Sequence, residues 1–115
     1  MLTIFHNPSC KKSREGLQYL KDSGRSYTVV EYLKHPVTEQ VIERLLVKLN
    51  CKVHELIRTQ EEYYKKHIRG KHFEEHELIR ILVENPRLIR RPIVEGKFRA
   101  VVADPASNID LIREC

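Results

Sequence analysis

The opening of the chain constrains its architecture more than any other stretch. Leu2-Thr-Ile-Phe5 is a short apolar run with a β-branched centre that stops at the turn-forming Asn7-Pro8, which reads as a buried strand. From Lys11 to Ser23, Leu17 and Leu20 with Tyr19 alongside give a helical stripe, and Gly24 supplies a left-handed stop. Tyr27-Thr-Val-Val-Glu-Tyr32 is aromatic and β-branched, a second strand. Strand, helix and strand in this order make a βαβ unit, whose crossover is almost always right-handed and whose strands are then parallel. The chain is committed to an α/β fold.

The middle of the chain is mostly helical. His35-Pro-Val-Thr38 reads as a loop ending in an N-cap, because Thr38 precedes Val41, Ile42, Leu45, Leu46 and Leu49 at helical spacing, with Asn50 closing the run. Helical segments are predicted over Val53 to Ile57, Glu61 to Ile68 and Glu74 to Glu84. The last carries Leu78, Ile79, Leu82 and Val83 on one face before Asn85-Pro86 ends it. Ile93-Val-Glu95, Gly96 and Phe98-Arg-Ala-Val-Val102 read as a hairpin with a glycine turn, and Asn108 to Arg113 as a last short helix. With neither an internal repeat nor a linker, the expectation is a single domain over 1–115. Its mixed sheet has about four strands, and a helical insertion at about 38–85 lies between the two halves of that sheet.

Composition narrows the function classes. In 115 residues, Lys+Arg 21 against Asp+Glu 16 leaves a net charge of +5, a mild excess rather than a nucleic-acid-binding tail. The balance of 41% hydrophobic and 32% charged residues with 4 Gly and 5 Pro excludes collagen-like, low-complexity and disordered classes. Cys10, Cys51 and Cys115 are too far apart for a C-x-x-C pair, so free thiols in a reducing, cytoplasmic setting are expected. No stretch approaches the roughly 18 apolar residues of a membrane span, and no signal segment is expected.

Chemistry concentrates at two places. Cys10, in His6-Asn-Pro-Ser-Cys10-Lys-Lys-Ser-Arg14, sits after a strand at the mouth of a helix. A free thiol with a pKa near 8.5 is only about 3% thiolate at pH 7. Lowering that pKa by about two units needs roughly 2.7 kcal/mol, more than a helix dipole supplies alone. Ser13, Arg14 and His6 are the local groups able to add the rest. The second place is Leu88-Ile-Arg-Arg-Pro-Ile93, where a turn before a strand would hold Arg91 rigidly at the sheet's end, and an arginine fork suits an oxyanion. Arg58, in Leu56-Ile-Arg-Thr59, ends an apolar helical turn in the same manner.

Taken in order and spacing, three segments resemble the glutaredoxin-coupled arsenate reductase family over nearly the whole chain. They are His6-Asn-Pro-x-Cys10-x-x-Ser-Arg14, Leu56-Ile-Arg58 followed by Tyr63 or Tyr64, and Asn85-Pro-x-Leu-Ile-x-Arg-Pro-Ile-Val94. The resemblance implies a thioredoxin-like fold with a helical insertion and a cis proline at Pro92. It implies that Cys10 attacks arsenate, that glutathione as co-substrate forms a mixed arsenic–sulfur adduct, and that glutaredoxin completes reduction to arsenite, with no bound cofactor. His6 maps onto the activating histidine, and Arg58 and Arg91 onto two anion-binding arginines. At the place of the third, Ala103-Asp-Pro105 puts Asp104, a carboxylate expected to repel a bound oxyanion, with Arg99 as a compensating cation if it reaches the pocket. Spx-like transcription regulators, which bind RNA polymerase, share the Leu-x-Arg-Arg-Pro-Ile pattern and form the alternative reading. Ser13 in place of a second cysteine excludes a local C-x-x-C switch.

Two further signals carry less. His72-Phe-Glu-Glu-His76 fits an H-x-x-E-H zinc pattern with its histidines one helical turn apart, but no third ligand is evident, and a solvated helix face is expected. Lys65, Lys66, Arg69 and Lys71 form a basic run flanked by Glu61, Glu62, Glu74 and Glu75, so nucleic acid is not an expected partner.

Overall fold

β1 (Leu2–His6) pairs in parallel with β2 (Tyr27–Glu31), Leu2 opposite Tyr27 and His6 opposite Glu31, and α1 (Lys11–Ser23) connects them. On the other side of β1 runs β3 (Ile93–Glu95), antiparallel, with Phe5 opposite Ile93. β4 (Ala100–Val102) extends the sheet from β3, giving the order β2-β1-β3-β4. The computed structural model describes residues 1–113. It divides into two compact units, Met1–His35 with the chain from Arg91 onward, and Pro36–Arg90. None of the helices among the described residues is long and apolar enough to cross a membrane.

In the sheet unit, strand alternation sends Leu2, Ile4, Val94 and Val101 to one face. There they pack with Leu20 of α1 and with Ala103, Ile109 and Ile112, while Leu17, Tyr19 and Tyr27 lie at the margin. Tyr19 Oη donates to Asp110 at 2.7 Å, tying α1 to the end of the chain. Gly24 ends α1 at φ 72°, a left-handed conformation that glycine adopts without a Cβ penalty.

Two boundaries differ from expectation. The final helix is a 3₁₀ segment over Ala106–Leu111 rather than a helix beginning at Asn108. The Asn108 side chain hooks back to the Val102 carbonyl at 3.1 Å while its N–H reaches Pro105 O at 3.0 Å, which winds the chain tightly from Pro105 onward. In the hairpin, the Gly96 N–H donates to Arg99 O at 2.8 Å. The turn therefore takes up Lys97 to Arg99, and β4 starts at Ala100 rather than Phe98, leaving Phe98 exposed.

The second unit holds α2 (Glu39–Leu49), α3 (Glu62–His67) and α4 (Glu75–Glu84). Thr38 Oγ1 accepts from the Val41 N–H at 3.2 Å, and Asn50 closes α2 in the left-handed region at φ 55°. Ile42, Leu45 and Leu46 of α2 and Ile79 and Leu82 of α4 are its buried faces, and the two helices touch. Val53–Leu56 is a 3₁₀ turn rather than an α-helix. The Lys52 N–H donates to Glu55 Oε2 at 2.7 Å, closing the segment after one turn and freeing Ile57 to bridge Ile89 in β fashion. The zinc pattern does not lie on one helix. A reciprocal cap between Glu74 and Glu77 starts α4 at Glu75, so His72 precedes it and pairs with Glu74 at 3.3 Å.

One glycine inside α1 reports a close approach. A Cβ on Gly16 would stand 2.7 Å from Pro92 Cγ and 3.7 Å from the Ala103 Cβ, so α1 lies directly on the proline that follows Arg91. Alanine at an open helix position would gain about 1 kcal/mol, whereas overpacking typically costs about 1–3 kcal/mol. Gly16→Ala is therefore expected to lower stability by up to about 2 kcal/mol in a denaturant titration. A more stable variant would mean that Pro92 yields freely.

Candidate active site

The segment between β1 and α1 is shaped by its own polar groups. Asn7 Oδ1 accepts from the Ser9 N–H at 3.0 Å and Asn7 O from the Cys10 N–H at 3.0 Å, a tight turn that Pro8 favours at its second position. Cys10 is the N-cap of α1, extended at φ −97° and ψ 125°, and its carbonyl receives the Arg14 N–H at 3.0 Å. Ser13, fully buried in the first turn, accepts the Asn7 N–H at 2.9 Å and shares a 2.7 Å hydrogen bond with His6 Nδ1. One hydroxyl thus ties the last residue of β1, the loop and the helix together. Arg14 Nη1 donates to Pro8 O at 2.9 Å, securing the loop from outside.

Around Cys10 the balance favours the anion. Partial burial pushes the thiol up, but the N–H groups of Ser13 and Lys12 and the Arg91 guanidinium act the other way and hold it below the ordinary thiol value. Cys10 makes no capping hydrogen bond as such. These donors favour the charge that the sulfur acquires on ionisation. The His6 imidazole is lowered from its usual value, chiefly by burial and further by Lys21 and Arg14, against Glu31 and Ser13, which raise it. It is therefore held neutral at pH 7. Cys51 shows the contrast: burial and Glu55 push its thiol up, and Arg90 only partly opposes them.

Arg91 and Asp104 reach the same end of the sheet from the other side. Because β3 runs antiparallel to β1, the start of β3 lies beside the end of β1. The Ala103 N–H donates to Pro92 O at 2.8 Å, which draws the exit of β4 alongside. Both Arg91–Pro92 and Asp104–Pro105 are cis, the first as the family resemblance implies, the second unforeseen. Asp104 is not a bare carboxylate, since Lys12 Nζ stands 2.8 Å from its Oδ2. Arg99 lies at the opposite end of β4, beside the Gly96 turn. At about 3.4 Å per residue it is roughly 17 Å along the chain from Asp104, so it does not compensate there.

Of the residues singled out in the sequence, Cys10, His6, Ser13, Arg14 and Arg91 come together in the sheet unit. Arg58 lies in the other unit, its backbone N–H on Leu88 O at 2.7 Å and its Nη1 on Glu61 Oε2 at 3.0 Å. Cys115 lies outside the described residues. Among those residues, no group of three or more His, Cys, Asp or Glu side chains is placed to hold a metal. The sequence reading placed the Asn7-Pro8 turn but missed the Lys12 amide and the Lys12–Asp104 pair. The amide was open to arithmetic, because a helix starting at Lys11 leaves the amides of its first turn unpaired and facing its cap.

The chain has relatives over almost its whole length. Residues 5–112 match the ArsC family model. The uncharacterized protein YfgD of Escherichia coli K12 is 37% identical over 92% of this chain and 91% of its own. An arsenate reductase of Yersinia enterocolitica is 36% identical over 98% of this chain and 82% of its own. Among solved structures, the arsenate reductase from Vibrio cholerae superposes with a TM-score of 0.92 at 33% identity, covering 96% of each chain. The four-stranded mixed sheet with its helices is accordingly of the thioredoxin-like type expected from the sequence, and this chain belongs to the ArsC family.

Proposed function

We propose that the protein is an arsenate reductase in which Cys10 is the nucleophile, glutathione the co-substrate and glutaredoxin the reducing partner. The observation that carries this reading is the convergence of the Ser13 and Lys12 amides and the Arg91 guanidinium on the Cys10 sulfur. The same donors that favour a thiolate suit a tetrahedral oxyanion brought up to it. The thiolate attacks As(V), and one arsenic–oxygen bond gives way to a sulfur–arsenic bond, the oxygen leaving as water. Glutathione replaces a second oxygen, again as water. A glutaredoxin thiolate then takes the glutathionyl sulfur, and the electron pair of that bond stays on arsenic, which becomes As(III). Two thiols are oxidised to a mixed disulfide, matching the two electrons gained, and hydrolysis of the Cys10–As bond releases arsenite.

In this scheme Ser13 and neutral His6 are positioning residues that keep the cap geometry without adding charge. Arg91 is the principal oxyanion ligand. Arg14 adds positive charge to the loop while bracing Pro8, and Arg58 is assigned to anion binding on the family resemblance alone. The free thiols of Cys10 and Cys51 favour a reducing, cytoplasmic setting.

Steady-state turnover of arsenate with glutathione and glutaredoxin tests the reading. Wild type is expected to turn over and Cys10→Ser to lose activity entirely. Arg91→Lys keeps the charge but loses the fork. At about 1.5–3 kcal/mol for a charged hydrogen bond, it should bind arsenate roughly ten- to a hundredfold more weakly. Absence of turnover with all three components present would refute the reductase, and capture of RNA polymerase by the same preparation would favour the Spx-like alternative.

Alkylation of Cys10 against pH measures the thiolate directly. The rate should reach half its plateau below the free-thiol value of about 8.5, because the anion is the form favoured in the fold. In Arg91→Gln the midpoint should rise. Equal midpoints in the two proteins would remove Arg91 from the sulfur's surroundings.

A further inference from the structure

The ion pair between Lys12 and Asp104 stands where the two halves of the site meet. Lys12 lies two residues beyond Cys10 in the first turn of α1, and its own N–H faces the sulfur. Asp104 follows Ala103, whose N–H is bonded to the carbonyl of Pro92, the residue after Arg91. The pair therefore spans the two segments that supply the donors acting on Cys10. At 2.8 Å it is well formed, yet its side chains keep 58% and 34% of their exposure, so water reaches both and the contact can be exchanged. Charge acts on the Cys10 sulfur from Arg91, alongside the Lys12 amide. Lys12 gives the site its amide, and its ammonium is engaged by Asp104.

We propose that Asp104 is an internal competitor for the anion site: its carboxylate occupies Lys12, which otherwise would serve the bound oxyanion, and so sets how tightly that anion is held. Asp104 acts on anion affinity through Lys12, by withholding one cation. This rests on the reading that Cys10 and Arg91 receive a small oxyanion, but not on that oxyanion being reduced. The physical requirement is modest. The lysine side chain is flexible, and an incoming dianion at the rim offers it a second partner of higher charge than Asp104.

The test is the dissociation constant of inorganic phosphate for the full chain, measured by calorimetry at low and moderate salt, in wild type, Asp104→Asn and the double variant Asp104→Asn with Lys12→Ala. Asparagine keeps the shape of the side chain and removes its charge. Asp104→Asn is expected to bind phosphate about two- to fivefold more tightly at low salt, the range open to an exposed ion pair, with the gain shrinking as salt rises. In the double variant the gain should disappear. No tightening in Asp104→Asn overturns the proposal, as does absence of phosphate binding in every variant. A gain that survives loss of Lys12 also overturns it, because Asp104 would then act by direct repulsion. Thermal midpoints close to wild type verify that the variants are folded. A protein that tightens on phosphate in this way but does not turn over arsenate would keep the competitor and lose the reductase.

Discussion

The site depends on one buried hydroxyl. Ser13 is fully enclosed, and its oxygen is bonded both to the His6 ring and to the Asn7 amide. A buried polar group without partners would cost about 1–3 kcal/mol, so the oxygen fixes the loop by needing both neighbours. With it in place, the end of β1 and the start of α1 have one relative arrangement. Cys10 has no choice but to sit at the cap, and the free amides of the first turn have no choice but to face it. The position of Cys10 is thus a consequence of satisfying a buried serine.

Burial and polar contacts pull against each other throughout this region, and the outcome differs by residue for identifiable reasons. Cys10 and Cys51 are both half-buried, a condition that disfavours a thiolate. The first overcomes it through helix amides and a guanidinium, while the second meets a carboxylate and is pushed further from ionisation. The His6 ring is buried enough to stay neutral despite Glu31 across the strand pair. The lowered imidazole favours the neutral form in this hydrogen-bond network.

Much of this was legible in the sequence where local chemistry determines structure. The limits of α1 and α2 follow from Gly24, Thr38 and Asn50, because caps and left-handed stops act within a few residues. The placement of Cys10 followed from a strand, an Asn-Pro turn and a helix in succession. What sequence did not disclose depends on partners distant along the chain. Asn108 reaching back to Val102 turned an expected helix into a 3₁₀ segment, and the Gly96–Arg99 hydrogen bond shortened β4. Asp104 was visible as a charge reversal, but its neutralisation by Lys12, 92 residues away, is a property of the folded pair. Gly16 gave no sign of its role in a sequence read one helix at a time, since the proline it accommodates belongs to another segment of the fold.

The antiparallel pairing of β3 with β4 puts a remote turn in control of Asp104. Asp104 comes alongside the start of β3 because Ile93 lies opposite Val102 and Val94 opposite Val101. A strand's side chains alternate faces, so a slip of one residue would send every one of them to the wrong side. β3 is only three residues long and carries little of its own resistance to such a slip. Beyond the apolar pairing itself, what holds the count is the short loop at the far end, where Gly96 meets Arg99 and returns the chain into β4. That loop is outwardly the most expendable part of the sheet, with an exposed Phe98 at its tip. It nonetheless works as the index mark of a ruler. A peptide tag or an extra residue inserted there would leave every group around Cys10 chemically intact and still misalign Asp104 at the opposite end.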